Sequence, residues 1–296
     1  MPASFIYVVL FLSGTFFGSF LNVVTLRFKP EKGLFSTVGG RSHCPLCHKQ
    51  LCWYELLPIV SFILQGAKCR SCRKKLSWQY PLVEILSGLV FLLIPLKFFS
   101  QPAVFNPVFP ENLLLTIIWI AAFLALITLS IIDLRLQIIP DSLNVFLVFL
   151  GLAQIAVLYY FHNFGLASGV IAGSFLGRYA LIFWLGQSLW LNFALGAALG
   201  LSLFAVLYIL TRGRGMGLGD VKFGLALGLL FGWPDILFVS ILAFILGSIV
   251  GIFLLARGKK KMKDSLAFGP FLALGAAMVF FFGYNILDAY FNLFGF

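Results

Sequence analysis

Long apolar runs, broken by short polar segments, set the pattern of this chain. Phe5–Leu26 carries no charged residue, and about twenty apolar residues suffice for a helix to cross a bilayer. Comparable runs recur at about 81–99, 112–132, 140–161, 189–210, 220–232, 235–256 and 266–290. Pro140 opens the fourth run, where a missing N–H costs a helix nothing. Trp233-Pro234 separates two runs as a turn. Residues 164–187 are apolar and glycine-rich but hold Arg178 at their centre. A central arginine disfavours a lipid-facing span, so this stretch is read as re-entrant or as lying on the outer face. The fold class that follows is an all-α polytopic integral membrane protein with about eight transmembrane helices. Its divisions are a first transmembrane helix at 1–26, a polar insert at 27–79 and a polytopic membrane domain at 80–296. No Lys or Arg precedes the first run and no small-residue cleavage site follows it, which predicts a retained span rather than a cleaved signal.

Composition supports the same class. Of the 296 residues 61% are hydrophobic and 10% charged, and 35 are Phe, far from the usual globular mixture. A net charge of +11 would suit nucleic acid, but no basic stripe accompanies a nucleic-acid-binding signature, so that class is excluded. The basic residues instead report topology. Nineteen of 21 lie in 27–79, at 135, in 212–222 and in 257–263, leaving Lys97 and Arg178. The excess of Lys and Arg in cytoplasmic loops places these segments, the insert included, on the cytoplasmic side. One crossing more or fewer would destroy that asymmetry.

The insert carries Cys44-Pro45-Leu46-Cys47 and Cys69-Arg70-Ser71-Cys72, two pairs separated by 21 residues. Thiolates so arranged can close a tetrahedral site around Zn²⁺, and four of them leave no open position, the mark of a structural metal. Disulfides are the alternative reading, but cytoplasmic thiols stay reduced. Cys52 is a bystander on this view, and His43 and His48 flank the first knuckle without ligating.

Two carboxylates stand out where polar breaks meet apolar runs. Asp133 closes the third run, ahead of Ile139-Pro140-Asp141. Asp220 follows three alternating glycines in Gly215-Met216-Gly217-Leu218-Gly219-Asp220-Val221-Lys222. Glycine permits positive φ and close backbone approach, and either use is expected here. A carboxylate at a membrane edge is costly enough to suggest function. Two brought together share a proton, so one can activate water while the other protonates a leaving group. Alternatively each is a helix cap or an ion-pair member, with Arg135 or Lys222 as partner. Asp141 reads as a first-turn helix charge. The glycine pairs Gly14/Gly18, Gly196/Gly200, Gly224/Gly228, Gly228/Gly232 and Gly247/Gly251 read as helix-packing faces.

At these residues the chain resembles a known family. Asp133 with Ile139-Pro140, the Gly215–Lys222 stretch and Phe268-Gly269-Pro270-Phe271 resemble the type IV prepilin leader peptidases, integral-membrane aspartic proteases of the GxGD class. The resemblance implies that Asp133 and Asp220 are the catalytic pair. It implies type IV prepilin or pseudopilin substrates, cut at the cytoplasmic face after a glycine that ends a short basic leader. Gly18–Val24, the two cysteine pairs and Trp78–Glu84 are similar to the bacterial bifunctional branch. That branch also methylates the new N-terminal amine with S-adenosylmethionine, in the bacterial inner membrane. No dinucleotide-type glycine loop points to that cofactor. The insert is its expected seat, with Glu55 and Glu84 as bare candidates. A peptidase without methylation, or a metal-binding membrane transporter or scaffold, are the competing readings.

Overall fold

The computed structural model describes residues 3–31, 33, 39–44, 47–99, 109–163, 174–183, 188–213, 215–259, 261, 265–293 and 295. Among them are nine α-helices and no strand: α1 Ala3–Arg27, α2 Val60–Leu64, α3 Gln79–Phe99, α4 Phe109–Leu136, α5 Asp141–Asn163, α6 Leu189–Leu210, α7 Leu218–Phe231, α8 Asp235–Ala256 and α9 Gly269–Leu293. Seven are long and apolar enough to cross a membrane: all but α2 and α7. The eighth expected span, α7, has 14 residues, which is about 21 Å of helix against a hydrocarbon core of roughly 30 Å.

The chain forms two compact units. The first comprises 1–101 with 119–128, and the second 102–118 with 129–296. In the first unit α1 lies against α3 at touching distance. A Cβ added at Gly18 would sit 2.7 Å from the Glu84 Cα, and one at Gly88 would sit 2.7 Å from the Phe11 ring. Phe17 and Phe91 stack across the same seam with centroids 5.1 Å apart. Asn22, expected to hydrogen-bond a neighbouring helix, donates from Nδ2 to the Tyr80 carbonyl at 3.0 Å.

In the second unit α7 is the most enclosed element. Phe223, Ala226, Leu227 and Leu230 are fully buried on it. Its Gly224 and Gly228 meet Gly200 and Gly196 of α6, backbone to backbone, as small residues let membrane helices do. On its other side Gln154 of α5 donates to the Leu230 carbonyl at 2.9 Å. The pair Gly247/Gly251 divides: a Cβ at Gly247 would lie 3.5 Å from the Phe268 ring and 3.6 Å from the Phe271 ring, whereas at Gly251 nothing among the described residues lies within 4 Å.

Of 164–187, residues 164–173 and 184–187 lie outside the described residues. The rest form a 3-10 turn, Gly177–Phe183, too short to span. Asp235 holds its start by accepting from Ser174 Oγ and the Phe175 N–H, both at 2.6 Å. Arg178 pairs with Asp288 near the end of α9 at 2.9 Å, so the arginine has a carboxylate partner.

Candidate aspartate site and thiol cluster

Asp133 sits within the last turn of α4, which runs to Leu136, and is 4% exposed. Its Oδ2 accepts the Gly269 N–H at 2.8 Å. Gly269 is the first residue of α9, and first-turn amides of a helix have no intrahelical acceptor and favour an anion. A larger residue there would press on the carboxylate. A Cβ there would meet Asp133 Oδ2 at 2.8 Å and Leu129 Cδ2 at 3.0 Å. Gln137, one turn beyond Asp133, clamps the approach to α9: Ser265 Oγ donates to its Oε1 at 3.0 Å and its Nε2 donates to the Ser265 carbonyl at 3.3 Å.

Asp220 is the third residue of α7. Its Oδ2 accepts the Gly217 N–H at 3.1 Å, so it does cap its own helix, as one alternative reading required. That cap occupies one oxygen. Oδ1 is buried and finds no hydrogen-bond partner among the described residues. Burial raises the Asp220 carboxyl to about 6, the Gly217 N–H opposes the shift, and the charge of Asp133 adds to it. The charge of Asp133 is the smallest of these causes, and both acids belong to the second unit.

Of the two uses expected of the glycines ahead of Asp220, close approach is seen and positive φ is not. None of Gly215, Gly217 and Gly219 takes a positive φ; Arg212 and Gly213, just upstream, do. Gly217 has φ −85°, and a Cβ there would meet only ordinary contact, 3.6 Å from Asp220 Oδ2. Gly219 serves close approach, because a Cβ would stand 3.0 Å from Ile139 Cβ. That contact explains why Ile139-Pro140 and the glycine stretch go together: the start of α5 lies against the start of α7. Asn144, 3% exposed, adds a bond from Nδ2 to the Gly219 carbonyl at 3.4 Å. Lys222 pairs with Asp141 at 2.8 Å rather than with either candidate acid. Both side chains are more than half exposed, so the pair contributes little stability and serves as a tether. Residue-by-residue reading missed Gly269, Asn144 and the Gln137–Ser265 clamp. The Phe268–Phe271 motif was a signal for Gly269 alone.

The four paired cysteines converge in the first unit. The sulfurs of Cys44, Cys47, Cys69 and Cys72 all lie within 4.8 Å of one another. A tetrahedral ion with Zn–S near 2.3 Å needs sulfurs about 3.8 Å apart, so the cluster fits a metal with small contraction. The two knuckles are built alike. The Cys44 N–H donates to the Lys49 carbonyl and the Cys69 N–H to that of Lys74, both at 2.9 Å. The residue four beyond each lead cysteine, His48 or Arg73, takes a positive φ and donates its N–H back to that cysteine. The pairings His43–Gln50 and Lys68–Lys75 close the two turns. Backbone N–H groups of Cys72, then Ser71, hold the Cys69 thiol down to about 6, toward the thiolate a metal needs. Cys52 is an exposed free thiol outside the cluster. Glu55 accepts the Cys52 N–H at 2.9 Å, and Glu84 accepts the Ile59 N–H at 2.7 Å.

Comparison with known proteins follows the same division. Residues 12–98 match the bacterial peptidase A24 N-terminal domain, and residues 120–252 match the type IV leader peptidase family. A protein of Pseudomonas aeruginosa named prepilin leader peptidase/N-methyltransferase is 27% identical over 316 residues, covering 100% of this chain and 96% of the relative. One of the same name from Burkholderia pseudomallei strain 1026b is 32% identical over 244 residues, covering 82% and 67%. Another, from Bacillus subtilis, is 25% identical over 285 residues, covering 96% and 98%. No solved structure is significantly similar.

Proposed function

This chain belongs to the type IV leader peptidase family, and from that premise we propose that it cuts the leader from type IV prepilins or pseudopilins with Asp133 and Asp220 and then methylates the new amino terminus. The protein is a multi-pass membrane enzyme. The observation that carries the aspartate reading is the pair itself: two carboxylates from α4 and α7, each held by a backbone N–H, with the Asp133 charge felt at Asp220. Two carboxylates brought together in this way would not both ionise easily, so one proton would be shared. The ionised partner takes a proton from a water as that water attacks the scissile carbonyl carbon. The protonated partner gives its proton to the carbonyl oxygen; collapse of that intermediate sends a proton to the departing amine nitrogen. Asp220 Oδ1, buried and without a hydrogen-bond partner among the described residues, would be the oxygen available for that exchange.

The distribution of basic residues supports a cytoplasmic position for the insert, the 212–222 loop and the 257–263 loop, and hence cleavage at the cytoplasmic face of the bacterial inner membrane. Cys44, Cys47, Cys69 and Cys72 would hold Zn²⁺, which would supply rigidity to the insert rather than chemistry. S-adenosylmethionine supplies the methyl group when bound.

A prepilin incubated with wild type, Asp133→Asn and Asp220→Asn, followed by intact mass, tests the proposal. Wild type should release the leader, and each variant should lose cleavage by on the order of 10²-fold or more while still folding. Normal cutting by either variant ends the dyad reading. One added methyl mass on the mature product separates a bifunctional enzyme from a peptidase alone, and a transporter or scaffold would leave the prepilin intact.

A further inference from the structure

Helix α2 turns its apolar side outward. Val60, Ile63 and Leu64 share one face by their spacing and are 51%, 69% and 74% exposed. Ser61 and Gln65 turn the other way, with Phe62, onto a cavity of about 220 Å³ that Glu84 of α3 also lines. A helix on a water-facing surface has the opposite arrangement. Beside α2, Trp78, the residue before α3, is 75% exposed, and its ring lies 5.2 Å from that of Phe62. Trp53 and Tyr54, on the 3-10 turn Trp53–Leu56 ahead of α2, are exposed too. Apolar residues exposed singly are ordinary, but a patch of them marks a surface that something covers.

The depth of α2 says what covers it. The span Gln79–Phe99 has 21 residues, about 31 Å of helix, against a hydrocarbon core of roughly 30 Å. It has no length to spare, so Gln79 stands at the hydrocarbon boundary. The start of α2 is tied to α3 inside that boundary. The Ile59 N–H donates to Glu84 Oε2 at 2.7 Å, and Glu84 lies about 7.5 Å along α3 from Gln79. Interfacial helices bury their apolar face to about that depth, roughly 5–10 Å into the boundary of headgroups and acyl chains. Trp78 stands at the membrane edge, where Trp and Tyr concentrate. The second cysteine knuckle follows α2 closely and exposes Lys68, Arg70, Arg73, Lys74 and Lys75, with Arg70 Cζ 5.1 Å over the Tyr54 ring. Cations beside an interfacial segment favour anionic headgroups. We propose that α2 is an interfacial anchor: Val60, Ile63 and Leu64 lie among the acyl chains of the leaflet that α3 enters, and the second knuckle rests on its anionic headgroups. The insert, polar by composition, is thereby fastened to the bilayer between its two flanking spans as well as at its ends.

A photoreactive residue in place of Leu64, in the full chain reconstituted into nanodiscs of phosphatidylethanolamine and phosphatidylglycerol, tests the anchor. Melting and elution in detergent like those of wild type establish that the variant folds; should they differ, Ile63, on the same face, takes the place of Leu64. Illumination should add the mass of one phospholipid, whether or not a prepilin is present. Capture of water alone, of the prepilin or of a second copy of this chain overturns the anchor. Trypsin tests the headgroup contact, since the basic residues of the knuckle are its cleavage sites. Cutting at 68–75 should be slower by about fivefold or more in those nanodiscs than in nanodiscs of phosphatidylcholine alone, the factor that about one basic side chain near an anionic surface supplies. Equal rates overturn the contact with anionic headgroups.

Discussion

At the scale of single residues, the two aspartates are not equivalent. Asp133 rests on the amide at the head of α9, whereas Asp220 caps its own helix with one oxygen and leaves the other buried and unbonded. The Asp220 carboxyl stands at about 6 against an ordinary 3.8, chiefly through burial. An acid whose folded-state value is raised binds its proton more tightly when folded. Its ionisation therefore costs stability as pH rises through 6, and the cost is absent below the unfolded value. Asp220→Asn should accordingly raise the thermal midpoint at about pH 7.5, and the gain should vanish as pH falls toward about 4. A midpoint difference that does not change with pH would contradict this account. Gly269→Ala should behave as an active-site lesion although it removes no functional group, because its methyl would stand 2.8 Å from Asp133 Oδ2 and push that carboxylate aside. Cleavage should fall by on the order of 10²-fold, with expression and helix content retained; normal turnover would mean the Asp133 carboxylate is free to move aside.

At the scale of elements, helix positions were legible and helix relations were not. Apolar run length predicts α6 and α8 to the residue, because hydrocarbon thickness selects length directly. It misses the end of α4, which continues to Leu136 through Asp133 and Arg135. Helical hydrogen bonding does not stop where side chains become polar. The small-residue faces were readable as faces, but their partners were not. Gly200 and Gly224 belong to one contact 24 residues apart, whereas a Cβ at Gly251, in a pair of the same spacing, would meet nothing within 4 Å among the described residues. Gly224→Leu should thus prevent stable folding, since its Cβ alone collides with the Phe204 ring and the Gly200 carbonyl. Gly251→Leu should leave yield and melting in detergent near wild type, within about 0.5 kcal/mol. The motif glycines divide in the same way. Gly219→Val should disable cleavage through its contact with Ile139, and Gly217→Ala should retain most of it. Equal loss at the two positions would point to a loop whose conformation, not its proximity to α5, is what glycine serves.

At the scale of the molecule, the two compact units carry separate equipment: the thiol cluster and the Glu84 cavity in one, the aspartates in the other. Metal analysis of the purified chain should find about one zinc per polypeptide, and Cys69→Ser should lower that ratio and expose the 27–79 insert to proteolysis. Retained zinc in that variant would show that the four sulfurs are not its ligand set. What sequence alone determined was whatever depends on local chemistry and on length. Membrane class follows from run length, the expected sidedness of the basic loops from charge, metal capacity from cysteine spacing, and the candidacy of the two acids from their placement at the ends of apolar runs. Tertiary structure decided which groups serve those acids. Gly269 lies 136 residues from Asp133, and Asn144 lies 75 from Gly219. A backbone amide has no side chain by which a sequence could announce it. Its role arises only when chain folding brings a helix end to a carboxylate that would otherwise be buried without a partner.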